Sequence, residues 1–146
     1  MTVKIIAGGD HAGYPLKSHL IEKLKKEGYK IEDLGTDTEE SVDYPDYAKQ
    51  VAKAVADDKD TIGLLVCGTA NGVAMTANKH PRIRAAICWN TEIARLARQH
   101  NNANIICLPG RFLEEKEGEE IMNAFLETEF EGGRHEKRVE KIEEEE

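Results

Sequence analysis

Residues 62–77 read IGLLVCGTANGVAMTA. Ile62 to Val66 is a continuous apolar run, the pattern of a strand covered on both faces. Gly68 to Gly72 is a turn of small and polar residues that leads into a short helix through Ala77. The same unit repeats on either side. Upstream, Val3 to Ala7 is a strand. A helix follows with Pro15 in its first turn, Leu16, Leu20, Ile21 and Leu24 on one face, and Gly28 just past its end. Tyr29 to Leu34 is a second strand. A polar loop from Gly35 to Asp46 carries Asp43-Tyr44-Pro45, and a helix runs from Asp46 to Asp57. Downstream come a strand at Ile83 to Trp89, a helix at Glu92 to Gln99, a strand at Ile105 to Leu108 and a helix at Glu114 to Glu127. Beyond Gly132-Gly133 the tail RHEKRVEKIEEEE has helical character. Strand-helix alternation with right-handed crossovers predicts a three-layer α/β/α, Rossmann-like domain. Its sheet has five mostly parallel strands and it ends in a helical tail. No linker or repeat interrupts the pattern, so residues 1–146 read as a single domain.

The composition fits that expectation and removes several partners. Of 146 residues, 40% are hydrophobic and 33% charged, and the formal net charge is −8. A chain so acidic is repelled by nucleic acid and anionic membrane, so an anionic ligand needs a local cluster of Arg and His. The three cysteines, Cys67, Cys88 and Cys107, include no C-x-x-C pair and suggest neither a disulfide framework nor a zinc site. The opening residues MTVKIIAGGDHAG reach Gly8 after only four strongly apolar residues, too few for the apolar core of a signal peptide. No apolar run approaches the ~20 residues of a membrane span. The expected location is the cytoplasm.

In such sheets ligands bind beyond the carboxyl ends of the strands, so the residues after each strand carry the functional reading. After the first come Gly8-Gly9-Asp10-His11-Ala12-Gly13. This nearly matches the dinucleotide fingerprint, but Asp10 stands where the middle glycine must let a pyrophosphate approach. A nicotinamide or flavin site is rejected on that ground. Asp10 also suits the plain role of a carboxylate at a helix start, and His11 could be either a ligand contact or surface. After the third strand, Cys67 meets the free N–H groups and positive end of the following helix, which favour the thiolate. The small residues Gly68 to Gly72 let amides converge on an anion. A phosphatase loop would need an arginine at position 73, where Val73 stands. Cys88 and Cys107 lie inside strands and read as small buried hydrophobes. Gln99-His100-Asn101-Asn102 is unusually polar for a helix end, Arg111 follows the fifth strand, and Arg134 and Arg138 share one face of the tail.

Taken in order, Gly9-Asp10-His11-Ala12-Gly13, Asp43-Tyr44-Pro45, Cys67-Gly68-Thr69, Ala77-Asn78-Lys79, Arg98-Gln99-His100-Asn101 and Gly132-Gly133-Arg134-His135 resemble the type B ribose-5-phosphate isomerases. The wider family includes galactose-6-phosphate, allose-6-phosphate and tetrulose-phosphate isomerases. The resemblance spans essentially the whole chain. It implies a homodimer, able to pair further into a dimer of dimers, with each site built across the interface and the tail from residue 132 packed on the partner. It implies Cys67 as the base moving a proton between C2 and C1. His100 would open the furanose ring, and Thr69 with the amides of Gly68, Ala70, Asn71 and Gly72 would steady the enediolate. Phosphate would rest on His11, Arg111, Arg134 and Arg138, and sugar hydroxyls on Asp10, Tyr44 and Asn101. No cofactor or metal is implied. The family loop reads C-G-[ST]-G-[IL]-G, whereas this chain has Ala70 and Asn71, a change that bears on the substrate more than on the reaction. The alternatives are an isomerase of a hexose or tetrose phosphate, or a non-catalytic sugar-phosphate binding module on the same fold.

Overall fold

The computed structural model describes residues 3–144. Five strands, β1 (Lys4–Gly9), β2 (Ile31–Asp33), β3 (Thr61–Cys67), β4 (Ala85–Ile87) and β5 (Ile105–Pro109), form one sheet in the order β2-β1-β3-β5-β4. Every pairing in it is parallel, rather than mostly so. All seven residues of β3 are buried, as its unbroken apolar run requires of a central strand.

Alternation along the central strands divides the core between the two faces of the sheet. Ile5, Ala7, Leu64, Val66, Ile106 and Leu108 face α1 (Tyr14–Lys26), α4 (Thr91–Asn101) and α5 (Glu115–Glu127). Ile6, Leu65, Cys67, Ile105 and Cys107 face α2 (Tyr44–Asp57) and α3 (Asn71–Ala77). A sixth helix, α6 (Arg134–Glu143), leans on α4 of its own chain and is tied at its far end by Glu143, which pairs with Arg84 and accepts the Arg82 N–H.

Some boundaries differ from the sequence reading. α2 begins at Tyr44, because Pro45 fits its first turn, where the absent N–H costs nothing. β4 keeps three residues of the longer apolar stretch, and Cys88 falls one residue past it, although its N–H still donates to the Cys107 carbonyl (3.0 Å). Among the described residues no helix is long and apolar enough to cross a membrane.

The chain turns back at β1. β2 lies on one side of it and β3 on the other, so the carboxyl ends of β1 and β3 form the switch point where such sheets bind ligands. The loop after β2 is fastened there by Lys17, whose side chain is fully buried. Its Nζ donates to Asp33 Oδ1 and to the Thr36 carbonyl, both at 2.7 Å. Lys17→Met should therefore lower stability by about 2–3 kcal/mol, since two hydrogen bonds from a buried cation are lost and the Thr36 carbonyl is left without its partner. Lys4→Met, which breaks an exposed pair with Glu32, should cost less than about 1 kcal/mol. Urea midpoints for the two variants check this; equal shifts would show that the buried ammonium is no anchor.

Candidate active site

The turn after β1 is set by how closely it approaches β3. A Cβ on Gly13 would lie 2.0 Å from the Val66 carbonyl oxygen, so only glycine lets α1 start against that strand. Asp10 Oδ1 accepts the Ala12 and Gly13 N–H groups at 3.0 and 3.1 Å, which is the helix-start role foreseen for it. His11, half-buried, accepts the Val42 N–H at Nδ1 (3.2 Å). That contact leaves Nε2 to carry the ring proton and ties the turn to the loop that ends at Tyr44.

Cys67 ends β3 with its side chain on the α2/α3 face, 5% exposed. The turn behind it is held by β5: Gly110 N–H donates to the Cys67 carbonyl (2.8 Å) and Arg111 N–H to that of Gly68 (3.1 Å). The Arg111 guanidinium lies over Gly68, where a Cβ would be 3.3 Å from Nη1. Tyr44 closes the other side; a Cβ on Gly72 would fall 2.3 Å from its ring. Ala70 caps α3 in the left-handed conformation (φ 68°). That geometry costs a non-glycine residue roughly 1–2 kcal/mol, so the loop keeps a shape that glycine adopts freely although Ala70 replaces it. Thr69 and Asn71 are exposed, and the Thr69 hydroxyl accepts the Asn71 N–H (3.2 Å). Asp10, His11, Tyr44, the 67–72 turn and Arg111 thus share the carboxyl edge of the sheet.

His100, Asn101, Arg134 and Arg138 do not join them in one chain. α4 runs back against the strands, so its last turn lies at the amino edge. There the Arg84 Nε donates to the carbonyls of Asn101 (3.1 Å) and Asn102 (3.0 Å), just before β5 begins. Ile105 pairs with Gly63, four residues before Cys67 on β3, which puts the two clusters about 13 Å or more apart along the strands. The first turn of α6 reaches this second cluster. His135, 5% exposed, stacks on His100 with ring centroids 4.1 Å apart and planes 14° from parallel. Arg134, Arg138 and Asn101 point to solvent around them.

Two members of the second cluster, His135 and Glu131, were not singled out from sequence as site residues. His135 stands in the motif Gly132-Gly133-Arg134-His135, whose two glycines take positive φ (68° and 55°) and swing α6 back onto α4. Arg98 was likewise read only as part of a motif. It binds the Thr128 and Ala103 carbonyls and covers the Phe125 ring, which fastens the end of α4 to α5. Nitrogen or oxygen atoms of His100, Glu131 and His135 lie within 4.8 Å of one another. The two imidazoles among them are stacked face to face, 14° from parallel. A surface hollow of about 490 Å³ is lined by Pro45, Met75, Pro81 and neighbours and holds no residue of either cluster.

Comparison with known proteins gives a consistent picture. The family model described as Ribose/Galactose Isomerase matches residues 5–142. A ribose 5-phosphate isomerase structure from Thermotoga maritima superposes with a TM-score of 0.95 at 47% identity, covering 98% of this chain and 99% of its own. The Mycoplasma genitalium ribose-5-phosphate isomerase B, solved with bound ribulose-5-phosphate, gives 0.94 at 42% identity over 98% and 95%. The D-erythrulose-4-phosphate isomerase of Pectobacterium atrosepticum is 40% identical over 96% of this chain and 93% of its own length.

The three thiols differ in setting. Burial pushes the Cys88 thiol up to about 12. Burial first, then Cys88 and Cys67, raise that of Cys107 well above its ordinary value. Both are neutral at pH 8, and only Cys67 stands at a strand mouth. Iodoacetamide at that pH should modify Cys67 at least about tenfold faster than the other two. Peptide mapping by mass spectrometry would reveal the order, and labelling of Cys88 or Cys107 first would remove Cys67 from consideration as a reactive thiol.

Proposed function

The chain belongs to the ribose/galactose isomerase family and is a sugar-phosphate isomerase, and from that premise we propose that it interconverts ribose 5-phosphate and ribulose 5-phosphate at a site shared between two copies of the chain. The observation that carries this reading is Cys67 at the switch point, with its amide-lined turn held between Arg111 and Tyr44. Ring opening comes first: His100 gives a proton to the furanose oxygen as the anomeric hydroxyl loses its own. The Cys67 thiolate then takes the C2 proton of the open aldose, and the electron pair moves into a C1–C2 enediolate. The 68–72 amides and the Thr69 hydroxyl hold its oxygens, a kind of contact worth about 2.7–4 kcal/mol per aligned donor. Cys67 returns the proton to C1, O1 takes up a proton, and the O2 hydroxyl gives up its own as C2 becomes the ketone. Proton count and oxidation level balance with no added reagent.

Two copies are needed because of the distance between the clusters. The acid of the ring-opening step lies at one edge of the sheet and the base at the other, too far apart to act on one five-carbon sugar. Docking the amino-edge cluster of one copy on the carboxyl-edge cluster of another joins Arg134 and Arg138 to Arg111 and His11 around one phosphate. It also gathers the cations that a chain of net charge −8 needs to hold a dianion. A tetrulose phosphate is the second substrate to consider. Asn71 adds an exposed amide to the turn, and one relative is an erythrulose-4-phosphate isomerase. Relative kcat/KM on purified protein decides between the two sugars.

Cys67→Ala should lower kcat by at least about 10²-fold while ligand binding and fold persist, because a general base contributes that much; turnover within tenfold of the parent would end the assignment. Mixing that variant with an Arg134→Ala, Arg138→Ala chain, after subunit exchange, should recover about a quarter of the parental activity, since half the dimers then hold one intact composite site. A mixture as inactive as either parent would show that the two clusters do not meet across copies.

A further inference from the structure

α6 is a polar helix of ten residues, too short to be stable in water by itself. Arg134, Glu136, Lys137 and Arg138 are all exposed, and the one residue it buries is His135. A surface helix ordinarily buries aliphatic side chains, so a buried imidazole in that place calls for an explanation. Its neighbours supply one. The Glu131 N–H donates to the Gln99 carbonyl (3.1 Å), pinning the chain beside His100 before the turn at Gly132 and Gly133. The His135 N–H donates to the Gly132 carbonyl (3.1 Å), so the ring is delivered by a braced turn rather than a free end.

We propose that His135 is a positioning residue for His100: its buried ring lies flat on the His100 ring and fixes the plane in which His100 presents a nitrogen to substrate. The proposal rests on the ring-opening role given to His100 above. Two further observations favour it. The rings are nearly parallel at 4.1 Å, a contact that restrains tilt while leaving the edges of His100 free. The surroundings of His135 also bear on its charge. Burial first, then His100 on α4 and Arg134 on α6, hold the His135 pKa below the ordinary histidine value; Arg138 acts in the same sense, and Glu131, 3.5 Å from Nε2, opposes them. His135 is therefore neutral at neutral pH and places no second positive charge against the ring beside it. Two protonated rings at this separation would repel each other strongly.

The test compares His135→Ala, which removes the ring, with His135→Phe, which keeps a flat ring and removes both nitrogens, in the full-length chain. For His135→Ala, kcat should fall about tenfold, as expected for a misaligned acid, with KM changed less than about twofold. His135→Phe should return kcat to within about threefold of the parent. The C–H resonances of His100 should carry a ring-current shift in the parent and in His135→Phe, and lose it in His135→Ala. Unchanged kcat in His135→Ala, with the His100 shift gone and His100→Ala inactive, would overturn the positioning role alone. A His135→Phe variant that keeps the shift yet is as slow as His135→Ala would also overturn it, because a nitrogen and not the stack would then matter. Full turnover by His100→Ala would instead bring down the ring-opening assignment, and the positioning role with it.

Discussion

The turn after β1 crosses the end of β3 with no room for a side chain at Gly13, and that close approach positions much of the molecule. It brings Asp10 and His11 beside Cys67, although Asp10 and Cys67 lie 57 positions apart in sequence. It requires β1 and β3 to be neighbours, which sends β2 and β5 to opposite sides and opens the switch point between them. The Val66 carbonyl also accepts the Asp10 N–H (3.3 Å), so the approach that excludes a methyl group is used by a hydrogen bond as well. A glycine motif that resembles a nucleotide fingerprint is here a packing device between two strands.

Charge is distributed by the same economy of position. The chain is acidic overall, yet each cluster of candidate residues is built around arginine: Arg111 at the carboxyl edge, Arg134 and Arg138 at the amino edge, with Arg84 and Arg98 bracing the latter. Burial, followed by Arg84, lowers the pKa of Arg98, but a guanidinium starts so high that it stays charged at neutral pH. Arg98 can therefore tie carbonyl groups together in a partly buried place where lysine would be less dependable. Lys17 is the exception. It works in full burial because Asp33 and the Thr36 carbonyl both meet it at 2.7 Å.

Most of the architecture was legible in the residues, because apolar runs of strand length and helical spacing differ clearly when both faces of a sheet are covered. Cys67 and its turn stood out for the same reason: the break from β3 to Gly68 is abrupt. Three features were hidden. Lys17 stands on the apolar face of α1, four and seven residues before Ile21 and Leu24, but its charge disguises a core position. The stack of His135 on His100 depends on two positive-φ glycines, whose effect on direction has no periodic signature. The separation of His100 from Cys67 follows from the antiparallel course of a crossover helix. Motif matching alone cannot express it, since it orders residues along the chain and not along the sheet.

The strand order has a consequence for how the chain assembles. β5 lies between β3 and β4, so the last strand made must be inserted between two made earlier. Until residues 105–109 exist, β3 presents an open edge carrying Leu64, Leu65 and Val66, while β4 has no partner in the sheet. Such an edge is a template for any extended segment nearby, and pairings this distant in sequence close slowly. β4 is only three residues long and half-buried, a weak competitor for that edge. Its brevity reads as a kinetic safeguard: a longer fourth strand, born first, could occupy the place that β5 has to fill.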